Sequence, residues 1–361
     1  MNSRIFLLLI SVFCISSAYA VPVQGLYSAE IKLPVTQSEA QMLNKAIGLA
    51  VEDVLIKVSG DKNAITGDLL GQAQKKAPTW VAQHSVASLS ELLPFDDGLV
   101  PGKQIKVVFY QESIDDYLSQ NNLPVWGDNR PSVLVWLVNE NNGVRALSGT
   151  KEPSDALNKL AQSASEIGVP IYAPLLDDVD KRSLAVSDVW GFFEDSILNA
   201  SKRYQTDSVA AMRVSNYAGQ MGGNLLVLLK NGATERFVLR GESLDDLISQ
   251  ASSDLAKVFS SRYASVRNGG SASKVNIQVV GVTNYSIMNK VQSYFESIGV
   301  VRDVMLAQVN GNKVEFSIEI DGDKQKLFNS ISLSRLLINA PLNALDPDAN
   351  RVASYQYSGV N

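Results

Sequence analysis

Six consecutive apolar residues, Val133-Leu134-Val135-Trp136-Leu137-Val138, constrain the fold of this chain more than any other feature. A strand with one face in water alternates apolar and polar residues. An unbroken run suits a strand covered on both faces, as in a mostly parallel sheet. The residues that follow supply its cover. Pro153-Ser154 opens a helix with Leu157, Leu160, Ala161, Ala164 and Ile167 on one face, and Gly168 stops it. Val169 to Leu176 reads as a strand. Asp188 to Ala200 reads as a helix that turns Val189, Trp190, Phe193, Ile197 and Leu198 inward and leaves Phe192 off that face. Strands are expected over 208–216, 224–230 and 234–239, the last two joined by Asn231-Gly232, whose positions must tolerate positive φ. Ser243 starts a closing helix to Tyr263.

Two further units flank this one. Residues 21–126 read as a small α/β domain: strand Tyr27–Val35, helix Glu39–Val58 capped by Ser38, and a short helix Leu69–Gln74 broken before Pro78. A strand Gln104–Tyr110 and a helix Ile114–Gln120 complete it. The middle α/β domain spans 130–265, and the small polar stretch 266–273 is a linker expected to let its neighbours orient independently. Residues 274–340 give the order βαββα, the ferredoxin-like plan, with a last strand near Ser354 to Tyr357 in the tail 341–361. The fold class is therefore α/β and α+β: a multi-domain chain with a mixed-sheet middle domain followed by a ferredoxin-like domain.

The first twenty residues predict export. Arg4 is a positive start, Ile5 to Ile15 is apolar apart from Ser11, and Ala18-Tyr19-Ala20 fits cleavage after Ala20. The apolar stretch is short of the ~20 residues that span a bilayer; an uncleaved anchor is the alternative. Cys14, the only cysteine, lies inside this segment, and Ser11-Val12-Phe13 before it lacks the small residue that lipidation requires. Cleavage thus leaves a periplasmic chain without a thiol, and no later stretch reaches membrane length.

Several blocks carry a resemblance. VPVQGLYSAEIKLP at 21–34, VLIKVSG at 54–60, RPSVLVWLV at 130–138, VPIYAPLLDDVD at 169–180, RYQTDSVAAMRV at 203–214 and VNIQVVGVTNY at 275–285 resemble an uncharacterised proteobacterial envelope family, domain of unknown function 2066. The stretch from Arg130 to Tyr263 also looks like the α/β modules of TolB N-terminal domains, of activators of penicillin-binding proteins and of periplasmic flagellar assembly proteins. These resemblances imply an envelope location in a Gram-negative cell and binding surfaces for other envelope proteins. They imply no chemistry, because fold does not determine function.

The reactive groups are few. His84 is the only histidine, and no Gly-x-Ser-x-Gly accompanies it. A net charge of −5 argues against binding nucleic acid, which needs clustered cations. Gly222-Gly223 precedes a strand, and no Lys-Ser or Lys-Thr pair follows it as a P-loop requires. Asp177, Asp178 and Asp180 follow a predicted strand, where α/β sheets place ligands, and are the candidate ligand-binding carboxylates; a solvated loop is the competing reading. Trp80, Trp126 and Phe192 are the candidate partner-binding residues, with capping of a core edge as the competing use of both tryptophans. No cofactor and no metal is expected. The expected role is a non-enzymatic periplasmic module that binds or assembles with another envelope protein. The alternative is a small-ligand-binding protein or a hydrolase that uses the carboxylates near Asp177 to Asp180.

Overall fold

The computed structural model describes residues 23, 25–217, 219–266, 272–340 and 352–359. The predicted signal segment 1–20, positions 267–271 of the linker and 341–351 of the tail lie outside the described residues.

The first unit contains β1 (Ser28–Pro34), α1 (Glu39–Ser59), α2 (Gly67–Trp80), β2 (Val81–Phe95), β3 (Gly98–Phe109), α3 (Gln111–Gln120) and β4 (Pro124–Val125). Ser38 and Gln41 form a reciprocal capping box that starts α1, and Gly60, at φ 67°, ends it. The apolar face of α1 packs on Ala29, Ile31 and Leu33 of β1 and on Ile105, Val107 and Phe109 of β3. The sheet order is β1-β3-β2, antiparallel throughout.

One expectation fails here, and one strand was not expected. The short helix expected to break before Pro78 is instead a single helix of 14 residues that runs through Pro78 to Trp80. The strand β2 has no precedent in the sequence reading. Eleven of its 15 residues are exposed and none is buried, so it lacks the apolar alternation that marks a half-buried strand.

The middle unit contains β5 (Val133–Asn141), β6 (Val144–Ser148), α4 (Asp155–Glu166), β7 (Ile171–Tyr172), α5 (Asp178–Ser183), α6 (Val186–Trp190) and α7 (Glu194–Ser201). It continues with β8 (Ser208–Tyr217), β9 (Gln220–Leu229), β10 (Thr234–Arg240), α8 (Leu244–Tyr263) and β11 (Ser265–Val266). The sheet runs β10-β9-β8-β5, and the far side of β5 is shared by β7 at its start and β6 at its end. The strands β5, β7 and β8 are parallel. The apolar run is buried on both faces. Val133, Val135 and Leu137 meet α4 and α8, while Leu134, Trp136 and Val138 meet the layer of α5 to α7. Trp136 closes its own polar requirement, with Nε1 donating to Ser201 Oγ at 2.8 Å.

The single helix expected over 188–200 is instead two. The chain turns at Phe192, φ 55°, between α6 and α7. This turn reverses the expected facing: Phe193 is 56% exposed and Leu198 40%, while Phe192 packs against the core.

The third unit contains β12 (Ser273–Val280), α9 (Tyr285–Glu296), β13 (Val301–Asn310), β14 (Lys313–Ile320), α10 (Lys324–Leu333), β15 (Leu337–Asn339) and β16 (Ala353–Tyr357). Its order, β13-β14-β12-β16, with β12 and β16 parallel, is the split βαβ arrangement; β15 adds an edge strand. The fourth strand therefore comes from within the tail, beyond residue 340.

The units touch. β4 pairs with β11. Lys326 donates to the carbonyl of Ala264, Asn329 to that of Arg262, and Asn129 to that of Ser330. A Cβ on Gly127 would lie 2.6 Å from the carbonyl oxygen of Ser297, so only glycine fits that approach. The linker was expected to leave its neighbours independent; these contacts hold the third unit against the other two.

Candidate functional site

The acidic cluster is a structural clasp. Asp177 caps α5 by accepting from the amides of Val179 and Asp180. Arg203 grips it in a fork, with Nη1 at 2.7 Å and Nη2 at 2.9 Å from its two oxygens. This guanidinium and the capping amides hold the Asp177 carboxyl far below the usual carboxylate range. Asp180 is buried; it accepts from Arg203, from the amide of Leu176 and from the hydroxyl of Tyr204. Burial, followed by the bond to Asp180, raises the Tyr204 phenol well above its ordinary value. Only Asp178 of the three points to solvent. The expected convergent carboxylates are thus already occupied. Among the described residues no group of His, Cys, Asp and Glu is arranged to hold a metal ion.

The expected aromatic anchors are also placed differently. Trp126 is 1% exposed and lies between the first two units, so it presents nothing to a partner. Trp80 is half-buried, its ring 5.1 Å from that of Tyr117. His84 stands exposed on β2, away from any acidic cluster.

Phe192 belongs to a site that sequence reading missed. The chain leaves β5 on one side to form β7, then returns past it to form β8 on the other. This reversal of winding opens a crevice at the carboxyl ends of β5 and β8, the usual ligand position in such sheets. Register places Val138, Arg213, Asn224 and Val238 in one row across β5, β8, β9 and β10. Glu140, Ser215, Gly222 and Arg240 form the next row. The α5–α7 layer covers Val138, Ala211 and Leu226 but leaves the rest of these rows open, with Trp190 at its margin.

The result is an open cleft of about 470 Å³ lined by Trp190, Arg213, Gly222, Gly223, Asn224 and Arg240, among others. Arg213 donates to the carbonyl of Trp190 at 2.6 Å and to Asn224 Oδ1 at 3.0 Å, which fixes its fork. Its guanidinium lies 4.9 Å from the Phe192 ring and 5.4 Å from that of Trp190. Arg145 approaches the same indole at 3.9 Å. Partial burial, followed by the charge on Arg145, lowers the Arg213 pKa. No carboxylate among the described residues forms an ion pair with Arg213. Arg145 has Glu140 at 3.9 Å, and Ser215 donates to the other oxygen of that carboxylate.

The floor depends on two glycines. A Cβ on Gly223 would meet the carbonyl oxygen of Arg213 at 2.9 Å, whereas one on Gly222 would meet nothing within 4 Å and would project into free space. The same pair fails as a helix-capped phosphate loop; inside β9 it lets the strand serve as a bare platform. A sequence signal did exist. Val209 and Ala211 share a face with Arg213 and Ser215, so that face of β8 leaves the core halfway along the strand.

No helix of the described residues is long and apolar enough to cross a membrane. Residues 20–127 match the model of a domain of unknown function (DUF8605), which covers the first unit and describes no activity. No curated protein and no solved structure matches the chain.

Proposed function

We propose that this protein is a non-enzymatic module of the cell envelope that holds an anionic group of another envelope component in the Trp190–Arg213 cleft. The observation that carries the reading is Arg213: a partly desolvated guanidinium, fixed by two hydrogen bonds, beside two aromatic rings and without an ion-paired carboxylate among the described residues. A cation left unneutralised in a net-acidic chain favours a ligand that brings its own negative charge. The aromatic wall and glycine floor favour a flat or apolar body behind that charge. The export-type start and the resemblance to envelope families support a periplasmic location.

The test is photo-crosslinking in living cells from position 238, where Val238 is 62% exposed at the cleft rim. An envelope component is captured by the parent chain. Capture falls roughly tenfold in Arg240→Gln and in Arg213→Gln, as loss of a charge-assisted bond predicts. Capture that ignores both substitutions, or no capture from that position, rejects the reading.

A further inference from the structure

Sheet edges expose unpaired backbone donors and acceptors, and natural proteins blunt them. Most edges of this molecule follow the rule. β1 carries Glu30, Lys32 and Pro34 in seven residues. β10 carries Glu235, Arg236 and Arg240, and β15 is only three residues long. β13 begins with Arg302 and Asp303 and has two register shifts.

β2 carries Pro94 and two register shifts at its ends, but between the shifts it departs from this pattern. It is the outer strand of its sheet and runs for 15 residues, VAQHSVASLSELLPF, with Glu91 its only acid and no Lys or Arg. Glu91 is itself held by Lys32, which reaches across the sheet to 2.7 Å. Register shifts lie between Val81 and Gln83 and between Ser88 and Leu92, so Gln83 to Ser88 is a regular run of six residues. All six are uncharged at pH 7 with His84 neutral, and all except Val86 are exposed. The hairpin tip beyond them shows more apolar surface: Leu92 is 54% exposed, Phe95 41% and Leu99 65%.

We propose that β2 is a self-association edge: two copies pair antiparallel along Gln83–Ser88 and join two three-stranded sheets into one of six. Hydrogen-bonded and non-hydrogen-bonded pairs alternate along an antiparallel ladder, so a twofold axis must pass through a residue paired with its own copy. Within this run the central choices are Ser85 and Val86. About either, no charge in one copy's run faces a charge in the other's, and each larger residue meets a smaller one: Gln83 and His84 face Ala87 and Val86 about Ser85, and His84 faces Ser88 about Val86. A second copy satisfies this edge better than a charged partner does, because the strand offers nothing to neutralise one. The same pairing sends the chain beyond Ser88 of one copy, with its exposed Leu92, towards the chain that precedes Gln83 in the other. There the second copy's Trp80, half-buried in the single chain, adds apolar surface that five backbone pairs alone do not supply; stable interfaces need about 1,200 Å² or more.

Analytical ultracentrifugation of the purified protein tests this. The parent chain sediments as a concentration-dependent dimer. Ser85→Lys and Ser85→Glu are each monomeric, because like charges meet at an axis through Ser85 or lie diagonally across one through Val86, and an equimolar mixture of the two restores a dimer. Far-ultraviolet circular dichroism and melting curves matching the parent show that each variant is folded. A parent chain that is monomeric across the concentration range overturns the proposal. So does dimerisation unaffected by either substitution, or a mixture that stays monomeric.

Discussion

Arg130 directs all five of its N–H groups to backbone carbonyls while its guanidinium carbon lies 4.0 Å from the ring centroid of Trp126. The carbonyls belong to Lys57 at the end of α1, to Trp126 and Gly127 in the connection, and to Ile167 and Gly168 after α4. One side chain thus ties the first unit to the second. Burial pulls its pKa down to about 9, which leaves it charged at neutral pH. Gly168, at φ 75°, is obligatory beside it: a Cβ there would lie 2.4 Å from Arg130 Nη1.

Replacing Arg130 with Ala leaves several buried carbonyls without donors, at ~1–3 kcal/mol each. Urea unfolding should show a loss of at least about 3 kcal/mol, and Arg130→Lys should recover only part of it, since an ammonium has three donors and no planar fork. A double-mutant cycle with Trp126→Leu should return a coupling of about 1–2 kcal/mol for the cation–π contact. Additive losses would show that the ring and the guanidinium act independently.

The two glycines of the cleft should separate folding from binding. Gly223→Ala forces a Cβ against the carbonyl of Arg213 and should lower the melting temperature. Gly222→Phe has room, so its melting temperature should stay within a few degrees of the parent while crosslinking from position 238 is lost. Equal effects of both on stability would remove the distinction drawn between them.

The Asp177–Arg203 clasp should shape acid stability. The folded-state pKa of Asp177 is depressed by Arg203 and the capping amides, so its contribution is present above the unfolded value near 3.8. It is lost as pH falls from there through the depressed folded value. Melting temperatures measured from pH 7 to pH 2 should therefore drop less steeply below pH 4 in Asp177→Asn, which starts from a lower plateau. Parallel curves would show that another carboxylate governs the acid limb.

Among the described residues, Ser201 Oγ is the acceptor for the indole N–H of Trp136 at the centre of the sheet. Ser201→Ala should cost about 1–3 kcal/mol in chemical denaturation, the penalty of a buried donor without a partner. An unchanged midpoint would mean that the indole finds another acceptor.

Periodic burial explains which features could be read in advance. The six-residue run of β5, the apolar stripe of α1 and the βαββα order of the third unit all follow from spacing within short segments, so composition along the chain reveals them. β2 escaped because its side chains are neither buried nor alternating, and the break between α6 and α7 because one left-handed residue, Phe192, carries no strong signature. The candidate site escaped for a different reason. Its residues come from α6, β8, β9 and β10, and nothing in their separate sequences states that they share a row.

By itself the sequence determined the mixed α/β, multi-domain class, most of the elements and the scarcity of reactive groups, because these depend on local periodicity and on counting. Tertiary structure alone decided that Trp126 is enclosed beneath Arg130, that Asp177 and Asp180 are consumed by Arg203, and that Arg213 stands open beside Trp190 and Phe192. The physical reason is that the availability of a charge or ring depends on which distant groups satisfy it. Strand register and winding, rather than sequence neighbours, choose those groups.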